Sequence, residues 1–452
     1  MKKTNCTLNS GLVLLALASL LPKVSGADAP ATAPLTTDWQ KPVWLTDLSL
    51  GVKETYDDNI FGVSGDGAMA KQSSWVTTIS PKFGFNFAPL LGNQSLFQVV
   101  SFVYAPDFAL YHNDQTESYD AQRIGNTIKG ADGNFSYNLD NSFTFIDGSS
   151  VAPIYTTPDD NWRSGFGAAM PLARSKQIQE RAKVSLRYDW ENWFLRPTAS
   201  LLCYDMMTDL RSTPGYQNYP SRGDVNGGAD GGYKLTKDFA LTLGYRYGYQ
   251  YQDALPSNID PHRFSSANHY QRILLGFEGK PWNWLTVAFQ AGPDFRTYGD
   301  SAPVQDTTAQ TYYGEGSLTA DVTANDSFTL KYKQWQFVAF TGKVPCYDSS
   351  GELNYHRKVT KDLSFDLGGR MGCVDFNEGY GADLKNTNKK KDYLYAVTAG
   401  VNYAFTTHLT GTVSYTLNMG RNGEDDLAVI KQNPEYREFN ENLVSVGMLY
   451  KF

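Results

Sequence analysis

Long apolar segments are nearly absent from this chain of 452 residues. The longest run, residues 11–21, is short beside the roughly 20 residues that a membrane-spanning helix needs. The mean hydropathy of −0.42 is that of a water-soluble protein. A helical membrane topology is therefore excluded. A membrane β-barrel is not, because each strand of its wall presents only every second residue to lipid.

Cysteine and histidine are also scarce, at four and five residues. Beyond the amino-terminal leader only Cys203, Cys346 and Cys373 remain, and they lie far apart in the sequence. This number and spacing predict neither a metal cluster nor a disulfide framework, although one bridge would fit an oxidising compartment.

Candidate catalytic groups are correspondingly few. His262 and His269 share a polar segment with Asp260 and Ser265, from which a Ser-His-Asp arrangement could be assembled. Any polar loop would permit as much. We therefore predict no enzyme, no catalytic residue and no cofactor.

Basic charge is not in excess either. Removing Lys2, Lys3 and Lys23 with a leader leaves 37 of the 40 basic residues against 47 acidic residues, a net charge of −10. A nucleic-acid partner is not expected, because binding to the phosphate backbone depends on clustered positive charge.

The amino-terminus is typical of a secretory signal peptide. Lys2 and Lys3 precede the short apolar run, and residues 24–26 offer a cleavage site. We assign residues 1–26 to the signal, residues 27–42 to a flexible periplasmic lead rich in Ala, Pro and Thr, and residues 43–452 to one domain.

The carboxy-terminus predicts a membrane strand. In residues 444–452 apolar side chains alternate with small or polar ones, and the chain ends on an aromatic residue. This is the two-residue period of a transmembrane β-barrel strand. It resembles the assembly signal of bacterial outer-membrane proteins, carried here by Val446, Met448, Tyr450 and Phe452.

The same alternation recurs along the chain. After residue 238, Leu241, Leu243 and Tyr245 alternate with Thr242 and Gly244, and comparable runs follow residues 362 and 407. These runs reach ten to thirteen residues, the length at which tilted strands match the thickness of a membrane. Strands of soluble proteins average about five or six residues.

Short turns and long connections alternate between the predicted strands. The turns start 36 to 50 residues apart, whereas the longer connections are polar. Outer-membrane barrels show this asymmetry, with the long loops outside the cell. Eight turns give about eighteen strands. The predicted turns are 91–94, 139–141, 189–192, 235–238, 280–283, 323–326, 359–362 and 405–407, and the long connections are 57–73, 149–180, 207–223, 253–268, 376–391 and 420–440.

An acidic segment follows the first predicted strand, residues 43–56. Asp57, Asp58 and Asn59, with Asp66 nearby, offer oxygen atoms to a cation but lack the spacing of a twelve-residue calcium loop. We predict no metal site.

Three short segments resemble the β-barrel porin type 2 family. They are residues 56–61 (Tyr-Asp-Asp-Asn-Ile-Phe), residues 104–106 (Tyr-Ala-Pro) and residues 118–120 (Ser-Tyr-Asp). The resemblance covers about the first hundred residues after the signal. It implies an outer-membrane barrel with a porin-like role, and some members of the family are associated with exopolysaccharide export.

Extending the alternation assigns charged side chains of both signs to the lumen, which predicts no strong charge selectivity. Alternatively, many of them pair across neighbouring strands and stiffen the wall. A loop at residues 149–180 would fold inward as a constriction or lie outside as a lid. The predicted lumen residues are Lys183, Arg187, Arg196, Arg246, Arg272, Arg296, Lys331, Lys333, Arg370, Asp189, Asp230, Glu278, Asp294, Glu315, Asp321 and Asp366.

Together these patterns predict an all-β fold, a transmembrane antiparallel up-and-down β-barrel of about eighteen strands, with sixteen or fourteen as alternatives. We expect it in the bacterial outer membrane, in contact with lipid and lipopolysaccharide, after insertion by the barrel-assembly machinery. The predicted function is passive passage of small hydrophilic solutes. Exopolysaccharide export or surface handling, or a structural or adhesive barrel, are the alternatives.

Overall fold

The computed structural model describes residues 41–62, 70–93, 95–148, 176–207, 212, 220–304, 306–338, 345–376, 391–422 and 438–452. The predicted signal peptide lies outside these residues, so its boundary stays a prediction. Two short 3-10 helices occupy Ala88–Leu90 and Gln115–Glu117. Among the described residues, no helix is long and apolar enough to cross a membrane.

The described residues form nineteen strand segments. In chain order they are β1 (Leu45–Asp57), β2 (Ser74–Asn86), β3 (Val99–Tyr104), β4 (Asp107–Tyr111), β5 (Tyr119–Asp132), β6 (Phe135–Asp147), β7 (Gln177–Trp190), β8 (Trp193–Met206), β9 (Arg222–Thr236), β10 (Phe239–Gln252), β11 (Asn268–Trp282), β12 (Leu285–Tyr298), β13 (Thr308–Asp321), β14 (Asp326–Val338), β15 (Pro345–Lys358), β16 (Leu363–Phe376), β17 (Lys391–Ala404), β18 (Leu409–Asn422) and β19 (Phe439–Lys451).

These segments close into one antiparallel barrel. β1 pairs with β2 on one side and with β19 on the other, which joins the two ends of the sheet. β3 and β4 are two halves of one broken strand, because both pair with β2 and both pair with β5. The described residues thus fill eighteen positions in the wall. The predicted closed barrel of about eighteen strands is confirmed.

The wall has an apolar outer face and a polar inner face. On β10, Leu243 and Tyr247 are 56 and 50 % exposed, whereas Ala240 and Arg246 are 6 and 9 % exposed. A closed wall satisfies its backbone hydrogen bonds internally, so such a barrel can stand in lipid. The apolar outer face is therefore the surface that meets the membrane.

Tryptophans mark the end of the wall that carries the short turns. Trp190 and Trp193 flank the turn between β7 and β8, and Trp282 and Trp284 lie at the turn between β11 and β12. All four side chains are exposed. Their position is that of an aromatic belt at a membrane interface.

One predicted turn, residues 139–141, is wrong, because these residues lie within β6. The chain turns instead at Gly133 and Asn134, where Gly133 has a φ of 56° that glycine adopts without strain. The prediction failed because this lumen-facing part of β6 is rich in polar residues such as Asn138 and Asp140, as a turn would be.

Two prolines lie within strands of the wall, where proline cannot donate a backbone hydrogen bond, and each lies where the ladder to one neighbouring strand is interrupted. Pro81 pairs with Leu50 of β1, but its other side faces the break between β3 and β4. Pro197 pairs with Ala229 of β9 where the β7–β8 ladder skips. Because proline has no backbone N–H, a gap at its position leaves no donor unsatisfied.

The acidic segment after the first strand fastens the closure of the barrel. The Asp58 carboxylate accepts hydrogen bonds from the backbone N–H and the side-chain Nδ2 of Asn442, both at 2.7 Å. Asn59 Nδ2 donates to the Asn440 carbonyl at 2.9 Å. Asp58 and Asn59 therefore join the ends of β1 and β19. Asp66 lies outside the described residues.

Candidate functional site

Toward its carboxy-terminal end β14 separates from β13 and turns into the lumen, whereas β15 stays paired with β16 as far as Cys346. The β13–β14 ladder ends at Gly314 and Gln334, whereas β14 and β15 stay paired to Val338 and Pro345. The residues beyond this point do not alternate in exposure as wall residues do, since four in succession are at most 3 % exposed. We call residues 335–338 and 345–348 the lumen hairpin.

Side chains from distant strands hold the backbone of the lumen hairpin. Arg222 Nη1 on β9 donates to the Val338 carbonyl at 2.7 Å. Gln250 Nε2 on β10 and Arg296 Nη2 on β12 donate to the Gln336 carbonyl at 3.1 and 2.8 Å. In the wall β9 lies five strands from β14, so these bonds cross the interior of the barrel. We call Arg222, Gln250 and Arg296 the latch.

A buried carboxylate supports the latch. Asp294 accepts hydrogen bonds from Arg296 Nη2 at 2.7 Å and from Arg272 Nε at 3.0 Å. The Arg272 guanidinium lies over the Tyr270 ring, 3.9 Å from its centroid. A Cβ at Gly248 would come within 2.3 Å of that ring, so this glycine lets Tyr270 lie flat against β10.

Apolar contacts complete the seat of the lumen hairpin. The Trp335 and Phe337 rings stack with their centroids 4.3 Å apart. Together with Val338 they form a buried cluster with Leu274 of β11 and Tyr313 of β13. The hairpin is thus packed as well as hydrogen-bonded, which fixes its place across the lumen.

Below the hairpin, toward the short turns, charged side chains pair along the wall. Arg187 Nε donates to Asp189 Oδ2 at 2.9 Å, and Arg196 Nη2 donates to Asp230 Oδ2 at the same distance. Glu278 Oε1 lies 3.4 Å from Arg187 Nη1 and 2.8 Å from Arg196 Nη1. Arg246 binds Asp230 at 2.7 Å, and Lys234 binds Asp189 at 2.6 Å. We call these seven residues the wall network: Arg187, Arg196, Lys234, Arg246, Asp189, Asp230 and Glu278.

An aromatic ring lies beneath the wall network. The Arg187 guanidinium is 3.7 Å from the centroid of the Phe194 ring, and Phe194 is 1 % exposed. A Cβ at Gly232 would come within 2.0 Å of this ring. Gly232 therefore provides the space that Phe194 occupies.

Between the lumen hairpin and the wall lies a cavity of about 450 Å³. Lys183, Lys333 and Glu315 line it, together with Arg246 and Arg272. Lys331 lines an adjoining cavity below the first one, and Lys333 and Glu315 line both cavities. These predicted lumen residues therefore converge from β7, β10, β11, β13 and β14 on one space.

The remaining predicted lumen residues lie elsewhere. Arg370 is bound to Glu352 at 3.6 Å, and Asp366 to His356 Nδ1 at 2.7 Å, along β15 and β16. Asp321 ends β13 beside the turn to β14. That any lumen residue meets a solute stays a prediction.

Sequence reasoning missed the lumen hairpin and the cavity residue Arg181. A signal was present, because residues 335–340 (Trp-Gln-Phe-Val-Ala-Phe) break the two-residue alternation of β14 with a nearly continuous apolar run. A wall strand needs that alternation, and a hairpin buried on both faces does not. The 149–180 loop, considered as a constriction, lies almost wholly outside the described residues.

The histidine-containing loop has a local structural role. Asp260 accepts hydrogen bonds from the backbone N–H groups of His262 and Phe264. His269 contacts Tyr249 on the neighbouring strand, with ring centroids 4.7 Å apart. Ser265 donates its hydroxyl to the Gln252 carbonyl. These contacts shape the loop.

The carboxy-terminal residues point away from the lumen. Val446, Met448, Tyr450 and Phe452 are all exposed on the apolar face, and the Phe452 N–H donates to the Leu48 carbonyl at 2.9 Å. This contact joins the last residue to the first strand. The role of the segment in assembly stays a prediction.

No family model and no curated protein matches the chain. It is similar in fold to Pseudomonas aeruginosa OpdK with vanillate, at 12 % identity and a TM-score of 0.43, covering 90 % of this chain and 98 % of that one. It is also similar to OccK2 (OpdF) of the same species in complex with glucuronate, at 10 % identity, a TM-score of 0.44 and the same coverage. The FrpB iron transporter from Neisseria meningitidis has 9 % identity and a TM-score of 0.39, with 90 % of this chain and 82 % of that chain covered.

At these identities the similarity concerns the barrel fold alone. The β-barrel implied by the resemblance to the β-barrel porin type 2 family is the architecture observed. What passes through the barrel has to be argued from its own residues.

Proposed function

We propose that the protein is an outer-membrane channel through which small hydrophilic solutes pass passively, and that the lumen hairpin forms its constriction. The observation that carries this proposal is the latch. Three side chains on β9, β10 and β12 hold the carbonyls of Gln336 and Val338 inside the barrel. Because the hairpin is held in place inside a polar lumen, it narrows the channel without blocking it.

The lining supports passage of hydrated solutes. Barrels of about 16 to 18 strands leave an aqueous lumen unless something fills it. The cavities beside the hairpin are lined mainly by charged, amide and hydroxyl side chains. Such a surface keeps water in place for a polar solute, and nothing in the proposal requires catalysis or a cofactor.

A deletion tests the role of the hairpin. Gln336 and Tyr347 face each other across the β14–β15 ladder, so residues 337–346 can be replaced by two glycines without changing the register. We expect purified wild-type protein to conduct in a planar lipid bilayer and the deletion variant to conduct severalfold more. An equal-length deletion between β16 and β17, within residues 377–390, is the control and should leave the conductance near the wild-type value.

Three outcomes separate the hypotheses. Unchanged conductance in the hairpin deletion would contradict the constriction. Silence of both the wild type and the deletion variant would contradict the channel and favour a structural or adhesive barrel. Loss of surface polysaccharide in cells that lack the gene, with a silent purified protein, would favour exopolysaccharide export.

A further inference from the structure

We propose that the cavity beneath the lumen hairpin is an oxyanion-binding site, at which a carboxylate, phosphate or sulfate group of a permeating solute is held by Arg181, Lys183, Arg272, Lys333 and Trp335. We call these five residues the anion pocket. The proposal rests on the channel function proposed above and adds the charge of the solute to it.

Three cations of the anion pocket form no salt bridge among the described residues, although Glu315 faces Lys333 across the β13–β14 ladder and attracts both Lys333 and Lys183. Among the described residues, no carboxylate lies within 4.0 Å of Arg181, Lys183 or Lys333. The Arg181 Nη2 donates to the Tyr204 hydroxyl at 3.1 Å, and the Lys333 Nζ lies over the Trp335 ring at 4.1 Å from its centroid. Lys183 extends into the open cavity as an exposed side chain. These cations therefore keep donors that are available to a ligand.

The carboxylates of the same cavity are bound to neutral donors instead. Asp224 accepts from the Tyr270 hydroxyl at 2.8 Å and from Gln250 Nε2 at 2.9 Å. Glu315 accepts from the Tyr313 hydroxyl at 2.6 Å and from the Gln290 amide. Each of these acid oxygens therefore already accepts a hydrogen bond from a neutral group, whereas the three cations keep donors that no carboxylate binds.

Buried N–H groups without an acceptor strengthen this inference. Within the described residues, Arg181 Nε, Arg272 Nη2 and Trp335 Nε1 are buried and have no hydrogen-bond partner. All three residues line the cavity. A buried donor without an acceptor costs free energy, which a bound oxygen or water would recover. An oxyanion supplies several acceptor oxygens on one small group and is attracted by the positive charges around it.

Tyr313, Leu202 and Leu274 form an apolar side of the cavity. Such a surface lowers the local dielectric constant, so that a charge-assisted hydrogen bond is stronger there than in bulk water. The anion pocket thus differs from the predicted mixed lining, in which charges of both signs cancel.

Ion selectivity provides the first test. In a potassium chloride gradient across a planar bilayer, we expect the wild type to pass chloride in preference to potassium. The double variant Lys183→Gln/Lys333→Gln should lower the chloride-to-potassium permeability ratio at least about threefold, because focused positive charge raises the local anion concentration. The control Lys361→Gln removes one charge from a turn where the side chain is 89 % exposed, and its ratio should not change.

Competition provides the second test. Inorganic phosphate and acetate, added separately at millimolar concentration, should reduce the wild-type current, and glucose at the same concentration should not. Trp335→Phe keeps an aromatic ring but removes the pyrrole part of the indole with its Nε1 donor, so we expect the half-blocking anion concentration to rise about tenfold, as for a lost hydrogen bond to a charged group. Heat-modified migration on gels would show that each variant is folded.

These outcomes separate the two proposals. A conducting wild type that prefers potassium, or that phosphate and acetate do not block, would overturn the anion pocket and leave the channel intact. An equal fall in selectivity in the Lys361 control would also overturn it. A wild type that does not conduct would refute the proposed function itself.

Discussion

The latch and the wall network use arginine in two different ways. In the wall network, Arg187 binds Asp189 on its own strand and Arg196 binds Asp230 on the adjacent strand, and each remains part of the lining. In the latch, Arg222 and Arg296 donate to backbone carbonyls of the part of β14 that has separated from β13. The first arrangement stiffens a surface. The second fixes the segment of β14 that has turned away from β13.

The central charge pairs of the two regions differ in burial, although the Arg246–Asp230 pair of the wall network is itself nearly buried, at 11 and 4 % exposed. The Arg296 and Asp294 side chains are both fully buried, whereas those of Arg187 and Glu278 are 28 % exposed. A charge pair that has left water depends strongly on its partner, and a partly exposed pair is replaced in part by water. Equivalent substitutions should therefore have unequal effects in the two regions.

The largest effect is expected for Asp294→Ala. This carboxylate binds both Arg272 and Arg296, so its removal leaves two buried guanidinium groups without their anion. We expect the free energy of unfolding to fall by about 3–5 kcal/mol, measured by urea unfolding in lipid vesicles. Conductance should also become noisy as the lumen hairpin loosens. A loss no larger than that of the wall-network variants would show that burial does not distinguish the two regions.

Gly232→Ala tests the aromatic support of the wall network. The added methyl group would overlap the Phe194 ring, so the ring must move from beneath Arg187. We expect a loss of about 1–3 kcal/mol by the same unfolding measurement, the usual cost of overpacking. Gly231→Ala, one residue earlier, is the matched control, since its Cβ would meet nothing closer than 4.0 Å. Equal losses in both variants would argue for a general effect of glycine replacement in β9.

The sequence predicts the wall much better than it predicts the lumen. Alternation along β10 or β19 is a local property, and a closed wall with an apolar exterior follows from it. The polar residues of β6 misled turn prediction because Asn138 and Asp140 have the composition of a turn while lining the lumen. Composition alone cannot separate these two environments.

The latch and the anion pocket depend on register and on long-range contacts. Arg222 and Val338 are 116 residues apart, and their contact exists only because β14 departs from β13. The alternation also assigned charged residues to the lumen without indicating which of them form ion pairs with one another. Whether Lys333 forms a salt bridge with Glu315, which faces it across the ladder, depends on the neutral groups that already bind Glu315. Such competition is decided in three dimensions.

An effect of the same size as that of Gly232→Ala is expected for Arg222→Met, which removes one latch hydrogen bond but keeps much of the side-chain length. Loss of the bond to the buried Val338 carbonyl should cost about 1–3 kcal/mol. Single-channel records should show more frequent transitions between conductance levels, because one end of the hairpin is less firmly held. Arg187→Met, in the wall network, should leave the number of levels unchanged. Similar gating in both variants would contradict the distinction between latch and wall.

The smallest effect is expected for Glu278→Gln. Arg196 and Arg187 share its Oε1 atom, but each keeps another carboxylate, and the side chain is partly exposed. We expect a loss of at most about 1 kcal/mol, decreasing further at high salt because screened pairs contribute little. Urea unfolding at low and high salt measures both quantities. A loss comparable to that of Asp294→Ala would contradict the distinction between the two regions. It would mean that water does not replace a lost partner in the wall network, and that its ion pairs depend on one another as strongly as those that support the latch.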